Sequence, residues 1–320
     1  MTDDVSLGLQ IWPSNASWEE LRSVALLAEQ LGFASIYTWD HFAPVAGIDP
    51  YSANFEGWQV LSAWAALTKR VRIGMLVTGN TYRHPAIVAK MAATLDHISG
   101  GRAIAGMGAA WFEFEHTRYG ISFPPVGQRI EQLDEALTVM RSLFTQARTE
   151  FQGRYYQLTD APAEPKPIQA HLPILIGGSG ERKTLRVVAK HADIWHAFAD
   201  SPAEFARLLE VLRAHCDAVG RDPASITPST GGQVIIRDHA GELERRFDEL
   251  VSRHRVPRPT PSALMGTADQ VAANIASRLR AGVRLFIASA ATPFDEVTLR
   301  RLVSEVWPQA QERALTSRTG

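Results

Sequence analysis

Short apolar runs alternate along the chain with longer segments whose apolar residues recur every three or four positions. Residues 5–11 form the first such run and residues 17–31 the first segment with helical spacing, which predicts a strand followed by a helix. Ser17, with Glu20 three residues on, matches the pattern that caps helix N-termini. The other predicted strands are 33–39, 71–78, 102–108, 173–177, 193–198, 233–237 and 283–288. The other predicted helices are 55–68, 128–145 and 181–191 and those that begin near residues 85, 202, 267 and 295.

This alternation amounts to about eight strand–helix units joined by mostly short connections. Strands that alternate with helices pair in parallel, and eight of them close on themselves, so the pattern favours an α/β fold of the (β/α)8 TIM-barrel type over an open sheet. Residues 150–158 resemble a hairpin inserted into the rhythm, and the Pro- and Arg-rich residues 253–262 are predicted to be a loop. We therefore expect one barrel domain over residues 1–320, with loop insertions.

Composition narrows the function classes. The 33 Lys and Arg residues against 34 Asp and Glu residues give a net charge of -1, so no global field attracts nucleic acid or an anionic membrane. The N-terminus lacks the layout of a secretory signal, and no apolar run has the length of a membrane span. The single cysteine, Cys216, excludes a disulfide within the chain, and a cytoplasmic location is expected.

The residues directly after the predicted strands are the candidates for function, because ligands of a (β/α)8 barrel bind at the C-terminal ends of its strands. These positions are rich in glycine, aromatic and weakly basic residues. They are Asp40, His41, Thr78, Gly79, Asn80, the segment 106–111, the segment 177–180, Trp195 and His196.

The glycine-rich segment 177–180 lies between a predicted strand and a predicted helix, where backbone N–H groups can close on a phosphate. Arg182 and Lys183 add positive charge, whereas the alternative is a tight turn that only needs glycine. The segment is not a nucleophile elbow, because Glu181 occupies the last glycine position of that motif.

A second glycine turn, Gly106-x-Gly108-x-x-Trp111, is an incomplete dinucleotide fingerprint with a tryptophan at the third glycine position. A Rossmann dehydrogenase is therefore disfavoured, and close approach of the backbone to a flat ring, with Trp111 as a wall, is the better interpretation. Glu113 and His116 have a spacing that suits a metal, but without a second pair we interpret them as a polar surface turn.

Three further histidines lie near predicted elements. His97 and His191 are expected to be structural, because each falls within or at the end of a predicted helix. For His84, which lies close to the predicted strand end at Thr78, structural and functional interpretations remain equally open.

Several motifs, in their order along the chain, resemble the bacterial luciferase-like monooxygenase superfamily. Within it the chain is most similar to the branch that uses the deazaflavin coenzyme F420, with FMN as the alternative cofactor. The motifs are Leu7-Gly8-Leu9-Gln10, Trp39-Asp40-His41-Phe42, the segment 78–85, Ile98-Ser99-Gly100-Gly101-Arg102, the turn at 106–111, the segment 173–178 and Ala192-Asp193-Ile194-Trp195.

The resemblance implies a TIM-barrel redox enzyme, a homodimer, that moves a hydride to or from C5 of F420. His41 would exchange the accompanying proton or polarise the substrate, and Asp40 would orient His41 or contact the ring. A histidine that only caps a loop is the competing interpretation. The resemblance also implies a non-proline cis peptide near Met75–Val77. The positions it assigns to the cofactor are Asp40, Leu76, Val77, Thr78, Gly106, Met107, Gly108, Trp111, Gly177, Gly178, Ser179 and Arg182.

One departure from the family pattern concerns the substrate. Members that oxidise sugar phosphates carry a glutamate where this chain has Ala109, so we expect a small apolar or aromatic substrate with an activated C=C or C=N bond instead. The aromatic residues expected around it are Trp12, Trp39, Phe42 and Trp58. The alternatives are an FMN-dependent monooxygenase and a non-catalytic deazaflavin-binding or flavin-binding protein. A nicotinamide-linked aldo-keto barrel would need a Tyr/Lys/Asp/His tetrad, and the predicted strand ends of this chain offer no matching lysine.

Overall fold

The computed structural model describes residues 5–45, 47–255 and 264–316. Its strands are β1 (Ser6–Ile11), β2 (Ser35–Thr38), β3 (Arg72–Met75), β4 (Thr78–Gly79), β5 (Ala103–Gly108), β6 (Thr149–Gln152), β7 (Gln157–Ala161), β8 (Ile174–Gly177), β9 (Ile194–His196), β10 (Thr227–Gln233), β11 (Ile235–Ile236), β12 (Met265–Gly266) and β13 (Leu285–Ala290). Its α-helices are α1 (Trp18–Leu31), α2 (Gly57–Leu67), α3 (Pro85–Ser99), α4 (Glu113–Tyr119), α5 (Val126–Thr145), α6 (Thr184–His191), α7 (Pro202–Val219), α8 (Ala240–His254), α9 (Ala268–Arg280), α10 (Glu296–Arg301) and α11 (Trp307–Thr316).

Parallel strands close into a barrel in the order β1, β2, β3, β5, β8, β9, β10 and β13, and β13 pairs with β1 to complete the circle. The short strand β4 continues the course of β3 and pairs with the end of β5. The predicted (β/α)8 barrel is therefore confirmed. The hairpin expected at 150–158 is also present, as the antiparallel pair β6 and β7.

A separate apolar cluster fills part of the barrel interior. Its members come from five barrel strands and from the residue that follows β3, and they are Tyr37, Leu76, Ile104, Leu175, Ile194, Leu285 and Ile287. Alternate strand residues point outward and pack against the helices in the main core. Ligands of a (β/α)8 barrel bind where its strands finish, at their C-terminal ends.

The first helix forms as its sequence predicts. The Ser17 hydroxyl accepts a hydrogen bond from Glu20 N at 3.2 Å, and the Glu20 carboxylate accepts one from Ser17 N at 2.7 Å. Gly32 ends the helix with φ at 89°, in the left-handed region that favours glycine. No helix among residues 5–45, 47–255 and 264–316 has the length and apolar character needed to span a bilayer.

Two predictions near the C-terminus are wrong. The barrel strand lies at Thr227–Gln233 rather than 233–237, and Ile235–Ile236 pairs with β12 outside the barrel. The strand was not predicted because its sequence contains a proline and two glycines, which are uncommon in strands. Glycine is required at position 231, because a Cβ there would lie 1.7 Å from the Ile287 carbonyl oxygen. Helix α8 was not predicted, and it covers the start of the loop expected at 253–262. Residues 256–262 of that loop lie outside the described residues.

Candidate active site

A cavity of about 470 Å³ opens at the C-terminal ends of the barrel strands. Eight of the predicted site residues line it: Trp39, His41, Leu76, Val77, Gly108, Trp111, Gly177 and Gly178. Its other lining residues are Gln10, Val45, Gly79, Tyr82, Ala109, Ala110, Val126, Ile130, Thr184 and Phe198. The cavity thus lies where the barrel fold places ligands, and most of its wall is apolar.

His41 follows β2 and is held by a carboxylate that the sequence analysis did not single out. Its Nδ1 lies 2.7 Å from Glu115 Oε1. The imidazole packs edge-on against Trp111 and Phe112, with ring centroids 5.6 and 5.9 Å away. Since Nδ1 is occupied, Nε2 is the ring nitrogen that remains for a ligand in the cavity.

Glu115 lies on α4 and its side chain is fully buried. Besides His41, the Tyr82 hydroxyl donates to its Oε1 and Phe42 N donates to its Oε2 at 2.7 Å. Burial alone would raise the pKa of Glu115, but the hydrogen bond and charge of His41, with the Tyr82 and Phe42 donors, outweigh burial and leave the pKa lowered. Glu115 is therefore an ionised, buried carboxylate beside the cavity.

Asp40 does not line the cavity, although it was predicted to contact the cofactor. It is 1% exposed and forms a two-pronged ion pair with Arg83, whose NH2 lies 3.1 Å from Oδ1. Arg83 also reaches Glu56 at 2.8 Å. Burial raises the pKa of Asp40 to about 6, although Arg83 opposes the shift. Asp40 thus ties β2 to the segment that precedes α3.

The opposite wall of the cavity is built from backbone and glycine. The Leu76–Val77 peptide bond is cis, as the resemblance implied. The Val77 side chain lies over two glycines: a Cβ at Gly108 would be 2.7 Å from Val77 Cγ2, and one at Gly177 would be 3.2 Å from Val77 Cγ1. Side chains at these two positions would fill space beside Val77, so glycine keeps a flat surface there.

The turn after β8, residues 177–183, presents backbone rather than charge to the cavity. Gly178 N donates to the His196 carbonyl at 3.1 Å, so this amide is already used. The Ser179 hydroxyl donates to the Phe198 carbonyl at 3.1 Å, and Ser179 does not line the cavity. Arg182 is exposed and also lies outside the lining. We name residues 177–183 the β8 turn.

Four other predicted residues are packing residues in the structure. Gly106 is buried in β5, where a Cβ would lie 1.6 Å from the Met75 carbonyl oxygen. Met107 is fully buried in the main core. Thr78 is fully buried and accepts a hydrogen bond from Trp58 Nε1 at 3.1 Å. Neither Gly106, Met107, Thr78 nor Trp58 lines the cavity.

Of the aromatic residues predicted around the substrate, Trp39 alone lines the cavity. Trp12 packs behind it, with ring centroids 5.0 Å apart. Phe42 packs on Tyr82 at 4.9 Å and does not itself line the cavity. The exposed rim is formed instead by Trp111 and Phe198, which are 62% and 64% exposed.

The interpretation of Glu113 and His116 as a polar surface turn is wrong. They lie on the short helix α4, where Glu113 is exposed but His116 is fully buried. His116 Nε2 lies 2.7 Å from the Thr81 hydroxyl and Nδ1 lies 2.8 Å from the Phe112 carbonyl. The apolar and polar residues Phe112, Glu115 and His116 recur at helical spacing, and this signal could have indicated an inward face.

The other histidines have structural contacts. His84 caps α3 by accepting a hydrogen bond from Ala86 N at 3.2 Å, and His191 lies 2.6 Å from Asp134. His97 lies 2.8 Å from the Lys166 carbonyl. His196 is buried at the end of β9, where burial lowers its pKa to about 4 and its Nδ1 lies 3.0 Å from the Ser229 hydroxyl.

The fold and the cavity together define a (β/α)8 barrel with a pocket of cofactor size at its strand ends. The family model described as luciferase-like monooxygenase matches residues 5–261. The chain therefore belongs to the luciferase-like monooxygenase family, as its motifs predicted.

Curated relatives agree with the predicted branch. An F420-dependent glucose-6-phosphate dehydrogenase of Kineococcus radiotolerans is 31% identical over 233 residues, which cover 72% of this chain and 64% of that protein. A phthiodiolone/phenolphthiodiolone dimycocerosates ketoreductase of Mycobacterium tuberculosis is 29% identical over 303 residues, 86% of this chain and 75% of the relative. The chain spans 65% of the length of mycobacterial relatives that match at 34% identity over 187 residues.

The fold also occurs in solved structures. The coenzyme F420-dependent tetrahydromethanopterin reductase from Methanopyrus kandleri superposes with a TM-score of 0.80 at 22% identity, covering 95% of this chain and 99% of the other. Monooxygenases are also among the solved structures with this fold. At this identity the likeness concerns the fold.

Proposed function

We propose that this protein is an F420-dependent oxidoreductase that transfers a hydride between the coenzyme and a small, largely apolar substrate. The observation that carries the proposal is the position of His41, which lines the cavity with Nδ1 on a buried carboxylate and Nε2 remaining for a ligand. The names of the F420-dependent relatives support the same cofactor.

The residues present fit a flat tricyclic ring. Gly108 and Gly177 keep a smooth surface beside Val77, where any Cβ would intrude. Leu76 and Trp111 offer apolar contact on the cavity wall, and Thr184 lies where α6 begins. The first turn of α6 and the backbone of the β8 turn would face the coenzyme phosphate.

In the reducing direction, the substrate gains a hydride at one atom of a double bond and a proton at the other. F420, when bound in its reduced form, would supply this hydride from C5 and would be left oxidised. His41 donates the proton from Nε2, and Glu115 receives the Nδ1 hydrogen bond throughout. In the oxidising direction His41 accepts the proton at Nε2. The apolar wall excludes water from the site of transfer.

The cavity favours an apolar or aromatic substrate with an activated C=C or C=N bond. Trp39, Ala109, Trp111 and Phe198 line it. Position 109 is the one at which the resemblance assigns a glutamate to members that oxidise sugar phosphates. A substrate with a C=O bond is a further candidate, because one relative is named a ketoreductase. Reduction of a ketone also needs a proton donor, here for the oxygen, and His41 could serve in the same way.

Two measurements test this function. Reduced F420 is mixed with the protein and with enones, imines, ketones or glucose 6-phosphate, and loss of the reduced coenzyme is followed. We expect turnover with an apolar acceptor. Fluorescence quenching with F420 and with FMN, titrated separately, identifies the cofactor. Turnover of the sugar phosphate alone would refute the substrate class, and binding of FMN without F420 would refute the coenzyme.

An FMN-dependent monooxygenase is the second candidate, because monooxygenases share the fold. It would show FMN binding and substrate oxygenation by O2. A non-catalytic deazaflavin-binding protein would bind F420 without turnover of any acceptor.

We also propose a homodimer. Ile87 and Ile98 lie on one face of α3 and are 54% and 44% exposed, which offers apolar surface for a contact between subunits. Light scattering of the purified protein measures the mass, and a monomer at micromolar concentration would contradict the dimer. The cytoplasmic location and the extent of one domain over residues 1–320 stay predictions.

A further inference from the structure

We infer that Glu115 is the positioning residue of His41: it fixes the imidazole with Nδ1 toward itself and Nε2 toward the cavity, and it is the counter-charge of the protonated ring. The inference rests on the proposed function, because it assigns His41 the proton of the hydride transfer.

The first support is the burial of a carboxylate without a lysine or arginine partner. Glu115 is fully buried, and its contacts in the described residues are His41, the Tyr82 hydroxyl and the backbone amides of Phe42 and Ala43. Removing such a charge from water is strongly unfavourable unless it is paired and hydrogen-bonded. His41 is the one contact that can carry a full positive charge.

The second support is that the neighbouring basic side chains have other partners. Arg83 forms ion pairs with Asp40 and Glu56. His116 contacts the Thr81 hydroxyl and the Phe112 carbonyl. Neither side chain contacts Glu115 within the described residues, so neither competes with His41 for this carboxylate.

The third support is the rigidity of the ring. Trp39, Trp111 and Phe112 surround the imidazole with centroids 5.6 to 6.0 Å away and interplanar angles of 75 to 82°. A carboxylate oxygen 2.7 Å from Nδ1 requires a proton on that nitrogen. Both the neutral Nδ1–H form and the imidazolium satisfy this contact, and in both the Nε2 side faces away from Glu115.

The rival role for Glu115 is purely structural, because its Oε2 also anchors the loop through Phe42 N. The two roles differ in what they predict. An anchor matters for folding and for the affinity of ligands, whereas a positioning residue matters for the rate of proton transfer at saturation and for the protonation of His41.

The first experiment uses the wild-type protein without coenzyme. Nitrogen-15 NMR of histidine-labelled protein, with His41 assigned by comparison with the His41→Gln variant, reports which ring nitrogen carries the proton. We expect Nδ1 to be protonated at neutral pH. A bare Nδ1 with a proton on Nε2 would overturn the inference, whether or not F420 is the coenzyme.

The second experiment compares Glu115→Gln with Glu113→Gln, a matched change on an exposed carboxylate of the same helix. We expect Glu115→Gln to lower kcat about 100-fold with less than threefold change in F420 affinity, since general acid catalysis contributes about 10²- to 10⁴-fold. Glu113→Gln should behave as wild type.

Unchanged kcat in Glu115→Gln would overturn the inference while leaving the F420 function intact. A loss confined to coenzyme or substrate affinity would also overturn it, in favour of the structural role. If Glu115→Gln does not fold, Tyr82→Phe removes one donor to the same carboxylate and should lower kcat by less than tenfold with Nδ1 still protonated. Failure of F420 to bind any variant, with Nδ1 protonated, would refute the proposed function alone.

Discussion

The two ends of the cavity are built by different means. At the end of β2, the His41 side chain, which lines the cavity, is hydrogen-bonded to the buried carboxylate of Glu115. At the β8 turn the cavity is bordered by the backbone of Gly177 and Gly178, and the predicted Arg182 is exposed outside the lining. Under the proposed function, the first region carries the chemistry and the second offers shape for binding.

This difference predicts two kinds of effect of substitutions. Because a proton donor must be held in place before the substrate arrives, substitutions near β2 should lower kcat. Because a glycine surface contributes close approach rather than charge, substitutions near the β8 turn should weaken the affinity for F420. The substitutions below test whether this division is real.

The largest effect is expected for His41→Gln. Glutamine retains a polar side chain of similar reach but cannot serve as an acid near neutral pH, so we expect kcat to fall about 10²- to 10⁴-fold. The dissociation constant for F420 should change less than about threefold. Steady-state rates with reduced F420 and fluorescence titration measure both quantities. Loss of F420 binding with unchanged kcat would show that His41 serves binding rather than proton transfer, and would contradict the proposed difference between the two regions.

The next effect concerns Asp40→Asn and the pH dependence of stability. The folded-state pKa of Asp40 is raised above its ordinary value to about 6, so Asp40 favours the folded state most when protonated, below about pH 4. That contribution is lost as the pH rises toward 6, by at most about 3 kcal/mol.

Asparagine does not titrate, so the difference in unfolding free energy should shift in favour of Asp40→Asn between pH 4 and 7. Urea unfolding at several pH values measures it. The Arg83 pair with Glu56 remains in both proteins. A difference that is constant with pH would show that Asp40 is ionised throughout this range.

The sequence predicted more of the barrel than of its site. Periodicity found the strands with apolar content, such as β1 and β5, because a barrel strand buried on both faces must be apolar. The same logic failed at β10, whose residues Thr227–Gln233 include proline and glycines. Glycine occurs at position 231 of β10 because the Ile287 carbonyl leaves no room for a side chain. This contact joins residues far apart in the sequence, so no local pattern of residues indicates it.

At the site, the strand ends predicted which loops contribute but not which side chains turn inward. His41 was predicted from its position, whereas Glu115 lies 74 residues further on and is joined to it only by the folded chain. Asp40 stands directly before His41 yet points to Arg83 instead of the cavity. Neighbouring residues after a strand face opposite sides, and the sequence alone did not say which side is the cavity.

A smaller effect is expected for Gly177→Leu at the start of the β8 turn. A Cβ added at position 177 would lie 3.2 Å from Val77 Cγ1. The rest of a leucine side chain would therefore occupy the cavity. We expect F420 affinity to fall about tenfold or more, equivalent to about 1.4 kcal/mol, with kcat at saturation within threefold of wild type. Gly241→Ala on α8 is the control, because its Cβ has open space with the nearest atom 3.8 Å away. A fall in kcat without loss of affinity would contradict the binding role of this turn.

The smallest effect is expected at the rim, for Trp111→Ala. Trp111 lines the cavity but is 62% exposed, so an apolar substrate covers only part of the ring, and truncation should cost about 1 kcal/mol of binding. We expect KM for an apolar acceptor to rise about fivefold with little change in F420 affinity. Tyr51→Ala is the matched control, since Tyr51 is 74% exposed and lies outside the lining. If kcat fell instead, Trp111 would be acting through its edge contact with His41, and the rim would belong to the region that carries the chemistry rather than to the binding surface.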